Sequence, residues 1–318
     1  MCDDDSFDDI VSHPPRRELM ARRAFGSLTL GAGLASLLPL GCAPPEPATS
    51  PAPAGSGSAA APAGAPADAG ARTTEAEVAI ATPDGTCDAY FVHPAAGASA
   101  AVLVWPDILG LRPAFRQMGK RLAQEGYAVL VVNPFYRKQK APTAPPHVDF
   151  EDKATREGLM ALMQTLTADT AATDAKAFTA WLDQQPSVDK ARKIGTMGYC
   201  MGGPLVMRTA AASPARVGAV ASFHGGGLVT DKPDSPHLLI PKTKARFLIA
   251  IAANDDAKQP EAKDKLREAF AQASLTASVE VFEGTKHGWC PPDSPVYDAA
   301  AAEKAWSELL ALFKAALA

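Results

Sequence analysis

Short, largely apolar runs recur along this chain, and most are followed by a stretch with helical spacing. The runs lie at residues 100–105, 127–132, 193–198, 217–223, 247–251 and 277–282. Continuous apolar runs such as 100–105 and 127–132 fit strands covered on both faces. Helical periodicity fills the gaps at 113–125, 150–166, 168–184, 201–212, 260–273 and 297–317; Phe115, Met118 and Leu122 mark one such face and Trp306, Leu309, Leu310 and Phe313 another. Ahead of the first run, residues 77–82 alternate as a strand, 83–86 form a turn, and 87–93 supply a hairpin partner. Strands alternating with helices predict an α/β domain over 73–318, with a mostly parallel sheet and helices on both faces.

The rest of the chain reads as address and tether. Residues 1–23 are polar and carry Arg16, Arg17, Arg22 and Arg23; residues 24–40 are apolar but contain glycines and Pro39. This run falls short of the ~20 residues a membrane span needs. A charged region followed by a short apolar core describes an export signal over 1–42, and Arg22-Arg23-Ala24-Phe25 fits the twin-arginine type. Leu40-Gly41-Cys42 resembles a lipoprotein cleavage site, with Cys42 as the acylated residue; ordinary cleavage near Ala43 is the alternative. All but three of residues 43–70 are Pro, Ala, Gly or Ser, so 43–72 is expected to be a disordered linker. The expected location is bacterial and exported, periplasmic or at the cell surface, with a membrane contact through the lipid on Cys42.

Composition excludes other classes. A net charge of -4 argues against a nucleic-acid partner, and five cysteines are too few for a disulfide scaffold. A mean hydropathy of -0.05 excludes a multi-span membrane protein.

The sharpest local motif is Gly198-Tyr199-Cys200-Met201-Gly202-Gly203, set between a strand and a helix. It is a nucleophile elbow with cysteine in the usual serine position. The nucleophile there takes a strained backbone, so side chains two residues away on either side would clash. The following helix points its N–H groups and positive dipole end at Cys200, which favours a thiolate, and the Met201 amide is placed to hold an oxyanion. In chain order come the acidic pair Asp255-Asp256 at one strand end and His287 after the last strand. Nucleophile, acid and histidine in that order make a Cys-His-Asp site.

These residues resemble the dienelactone hydrolase family of α/β hydrolases from about residue 75 to 318. The resemblance also rests on residues 105–111, 126–130, 133–137 and 286–289. It implies the α/β-hydrolase fold, Cys200 as nucleophile and His287 as general base. Either Asp255 or Asp256 orients the histidine; the spacing to Pro260 favours Asp256, the Ala-Asn-Asp strand end favours Asp255, and Asp255 is preferred. Ile108 would supply the second oxyanion amide. Asp107 stands where the family has a thiol-contacting glutamate, and Arg137 matches an arginine that binds a substrate carboxylate. Gly288 and Pro291 replace a small hydroxyl residue and a second arginine, so a less polar ester or lactone is the expected small-molecule substrate. His224 and Trp289 are expected at the pocket. Cys87 and Cys290 could pair in an oxidising compartment, but Cys290 also reads as a free thiol beside the pocket. No metal or organic cofactor is expected. The competing reading is a non-catalytic surface binding protein that keeps the fold.

Overall fold

The apolar runs become strands of one eight-stranded sheet in a computed structural model that describes residues 72–318 apart from 146, 147, 149 and 151. The expectations for the export signal, Cys42 and the linker up to residue 71 lie outside the described residues, as does His147. In chain order the strands are β1 (Thr73–Thr82), β2 (Gly85–Pro94), β3 (Ala101–Trp105), β4 (Ala128–Val132), β5 (Ile194–Tyr199), β6 (Val217–Phe223), β7 (Arg246–Ala252) and β8 (Ala277–Phe282). Their spatial order is β1-β2-β4-β3-β5-β6-β7-β8. β2 pairs antiparallel with both of its neighbours, and every other pairing is parallel.

The helices are α1 (Pro113–Gln124), α2 (Lys153–Met163), α3 (Ala168–Leu182), α4 (Gly202–Ala212), α5 (Ala253–Lys258), α6 (Ala262–Gln272) and α7 (Ala299–Ala316). Successive strand side chains point to opposite faces, and the two faces build separate cores. Leu103, Trp105, Leu130 and Ile249 join Phe178 of α3, Val206 of α4 and Phe270 of α6. Val102, Val104, Val129 and Leu248 join Phe115 of α1 and Leu309 and Phe313 of α7. The runs of β3 to β6 are buried along their whole length because both faces are covered, while β8 at the sheet edge is only partly buried.

Local chemistry sets several boundaries. The helix anticipated from 150 begins at Lys153, because Asp152 caps it by accepting from the Thr155 N–H at 2.8 Å. Thr167 caps α3 in the same way, with a reciprocal bond from the Thr167 N–H to the Thr170 hydroxyl. The short helix α5 stands where the sequence suggests only a strand end and loop. It has six residues and none is buried, so it has no apolar period to reveal it. The 3₁₀ turn Pro236–Lys242 was not anticipated either.

Cys87 belongs to one core and Cys290 to the other, so the sheet separates them. Both are free thiols, and burial pushes both well above the usual thiol range.

Phe313 is fully buried, and its ring lies against the bare backbone of Gly195. Phe313→Ala is expected to cost about 3–5 kcal/mol by opening a cavity under β5; urea unfolding of residues 72–318 measures it.

Candidate active site

Cys200 stands at the turn from β5 into α4 with a φ of 53°. That left-handed backbone costs a non-glycine residue about 1–2 kcal/mol. It is held by a bond from the Cys200 N–H to the Phe223 carbonyl at 3.1 Å and one from the Gly203 N–H to the Cys200 carbonyl at 3.0 Å. The flanking glycines have a steric cause. A Cβ on Gly198 would lie 2.3 Å from the Gly202 carbonyl oxygen, and one on Gly202 would lie 2.4 Å from the Trp105 carbonyl oxygen. Bare backbone therefore lets the elbow close against the end of β3, which leads directly to Ile108. Cys200, Met201 and Ile108 share one buried cluster. The eleven-residue helix α4 begins immediately after Met201, so its positive end favours a thiolate at Cys200.

The loop after β8 carries His287, which is 1% exposed. Its Nδ1 lies 2.7 Å from Oδ2 of Asp255, in the first turn of α5. Its backbone N–H donates to Oδ1 of Asn254 at 2.8 Å. With a carboxylate at Nδ1, that nitrogen carries the proton and Nε2 is the basic one. Of the acidic pair, only Asp255 faces the histidine. Asp256 accepts from Lys263 Nζ at 2.7 Å and 2.9 Å, which corrects its place among the catalytic candidates.

Four further expectations change. Asp107 was placed at the thiol, but its carboxylate takes two bonds from Arg112, at 2.6 Å and 3.0 Å. Arg137 was placed at a substrate carboxylate. It instead grips Asp174 with both terminal nitrogens at 2.7 Å and Asp84 with Nε and Nη2, so its guanidinium is consumed inside the fold. Those ion pairs outweigh burial and keep Arg137 firmly charged. Trp289 is fully buried and stacks on Phe282 at 4.7 Å, supporting the histidine loop rather than a pocket. His224 is 1% exposed, so its ring is closed off from solvent. Its ring packs edge-to-face on His287 at 5.0 Å. Its backbone has a φ of 40°, and neither ring nitrogen has a hydrogen-bond partner among the described residues. Burial first, then the neighbouring His287, holds His224 neutral well below the usual histidine range.

Two positioning residues escaped the sequence reading. Asn254 was only part of a strand-end idiom. Arg112 bridges Asp107, in the loop with Ile108, to Asp293 at 2.7 Å and 2.9 Å, in the loop beyond His287. It thereby ties the loop of Ile108 to the loop of His287. The two ion pairs offset the burial of Arg112 and keep it charged. No sequence signal links positions 181 apart in the chain. Among the described residues no group of three or more His, Cys, Asp or Glu side chains is placed to hold a metal ion.

An eight-stranded sheet in this order with β2 alone reversed, and an elbow after β5, defines an α/β hydrolase. P91, a dienelactone hydrolase-like promiscuous phosphotriesterase from metagenomic libraries, shares the fold with a TM-score of 0.61 at 22% identity, over 77% of this chain and 99% of that one. Residues 87–317 match the model of the dienelactone hydrolase family, and the chain belongs to that family. The carboxymethylenebutenolidase of Rhodococcus opacus is 26% identical over 237 residues, 72% of this chain and 87% of its own. That of Pseudomonas putida is 26% identical over 226 residues, 71% of this chain and 90% of its own.

Arg112→Gln is expected to cost about 3 kcal/mol, because it strands the buried carboxylate of Asp107, while Asp293 is half-exposed and loses little; thermal unfolding beside Arg112→Lys, which restores the charge but not the fork, checks it. His224 makes stability depend on pH. Below the unfolded value near 6.5 the unfolded chain binds a proton that the native His224 does not. Its contribution is therefore whole above that pH and falls below it by up to about 1.4 kcal/mol per pH unit. His224→Phe should flatten that part of the slope in urea titrations between about pH 6.5 and 5.

Proposed function

We propose that this protein hydrolyses a small-molecule ester or lactone through Cys200, by way of a thioester. The observation that carries the proposal is the 2.7 Å contact of His287 Nδ1 with Asp255, in a chain whose cysteine elbow opens α4. His287 Nε2 takes the Cys200 proton, and the thiolate attacks the carbonyl carbon. The amides of Met201 and Ile108 hold the resulting oxyanion. The C–O bond to the leaving alkoxide breaks, and His287 returns its proton to that oxygen. A water then gives a proton to His287 and its oxygen attacks the thioester. Collapse of the second tetrahedral intermediate releases the acid and the thiolate, and the thiolate takes back the proton.

Activation of the thiol rests on His287 and the end of α4, since Asp107 is committed to Arg112. Cys200 shares a buried hydrophobic cluster with Ile108, Phe135, Phe150, Leu159 and Met163. With Arg137 bound to Asp84 and Asp174, this supports an uncharged reacting end. We also propose export and lipid attachment at Cys42, on the sequence pattern of residues 1–42. A clickable palmitate analogue should label the full chain and not Cys42→Ala.

On p-nitrophenyl acetate, Cys200→Ala and His287→Ala are expected to lose about 10³-fold or more in kcat, and Asp255→Asn about 10²–10⁴-fold. Asp256→Asn should turn over like the parent. Undiminished turnover in Cys200→Ala would sink the proposal.

A further inference from the structure

A cavity of about 240 Å³ begins at Met201, the residue after the nucleophile, and runs along α4. Met201, Pro204, Leu205 and Arg208 line it, a spacing of i, i+3, i+4 and i+7 that marks one helix face. Seven residues of helix carry this stripe about 10 Å away from the oxyanion amide. Met163, Leu166, Met201, Pro204 and Leu205 give the cavity an apolar stretch, with Gln164 and Thr167 beside them. Met201 and Met163 belong to the same buried cluster as Cys200, and Leu166 packs against that cluster. Its far part is charged. Arg208 and Lys232 line it together with one carboxylate, Asp234, so the lining carries one excess positive charge. Arg208 donates to the Asp234 carbonyl at 3.0 Å and to its carboxylate at 3.1 Å. The guanidinium side chain is 13% exposed, while its carboxylate partner is 53% exposed. An exposed carboxylate in such a pair holds its cation weakly and can yield it to a better-placed anion.

We infer that this groove is the acyl-arm subsite of the enzyme, and that it selects esters whose acyl chain is extended, apolar and capped by a distal carboxylate. The inference rests on the hydrolase reading above and adds what that reading leaves open. At about 30 Å³ per water-sized group the cavity holds on the order of eight such groups, which sets the length of the arm. The second cavity, of about 380 Å³, is lined by Asp255 and Asp256 but by neither Cys200 nor Met201, so it does not continue from the oxyanion amide. Carboxylate recognition would thus sit on the elbow helix and the loop before the 3₁₀ turn, on residues other than Arg137.

The test compares three p-nitrophenyl esters on the intact protein: the acetate, the octanoate and the mono-ester of suberic acid, an octanedioate. The expected order of kcat/KM is suberate, then octanoate, then acetate, with suberate above octanoate by about tenfold for one charge-assisted contact. Arg208→Gln and the exposed-loop change Lys232→Gln should each lower the suberate-to-octanoate ratio toward one. Asp234→Asn should raise it, because the competing carboxylate is gone; a purely structural Arg208–Asp234 pair would not do this. Hydrolysis of the acetate with a suberate-to-octanoate ratio at or below one overturns the inference and leaves the hydrolase reading standing. An unchanged ratio in Arg208→Gln also overturns it. Turnover of no ester at all overturns the hydrolase reading, and the inference with it.

Discussion

The elbow depends on backbone meeting backbone. Gly198 faces the carbonyl of Gly202, and Gly202 faces the carbonyl of Trp105, with no room for a Cβ at either place. This contact lets Cys200 keep a φ of 53° and brings the head of α4 against the end of β3. The sheet order serves the same contact. β3 and β5 are hydrogen-bonded neighbours, and Trp105 is in register with Gly198. A sheet that separated these two strands would leave the amides of Met201 and Ile108 on different parts of the surface.

Around that contact the loops are tied to one another and not only to the sheet. Asn254 accepts from the His287 backbone while its neighbour Asp255 takes the imidazole, so one turn of α5 sets both the place and the orientation of the histidine. Arg112 joins the loop of Ile108 to the loop beyond His287, using both edges of its guanidinium. Lysine, a point charge, would not span both carboxylates. His224 packs against the same imidazole. A neutral, buried ring on a left-handed backbone fills the space against His287 without adding a charge that would compete for its proton.

The substitutions that separate this chain from its family's pattern have physical consequences here. A glutamate at position 107 would be one methylene longer; the aspartate found there is held by Arg112, so it serves the scaffold. Arg137 keeps the family's residue type and loses the expected task, because Asp84 and Asp174 neutralise it. Residue identity at a motif position was therefore a sound guide to the elbow, where geometry follows from adjacent residues. It was a poor guide to arginines, whose partners come from distant elements.

The sequence by itself determined the strand–helix alternation, the two-sided burial of the central strands, the elbow around Cys200 and the chain order of cysteine, acid and histidine. Each of these depends on neighbouring residues, through hydrophobic period, glycine sterics or position at a strand end. It also carried two candidates for the acid, and only the turn of α5 separated them, sending Asp255 to His287 and Asp256 to Lys263. The tertiary structure alone decided what Asp107, Arg112, Arg137 and His224 do. Their roles are set by partners far away in the chain, such as Asp293 for Arg112, and by burial that no local pattern encodes. Short-range sterics are written in order along a chain; long-range charge pairing exists only after the chain has closed on itself.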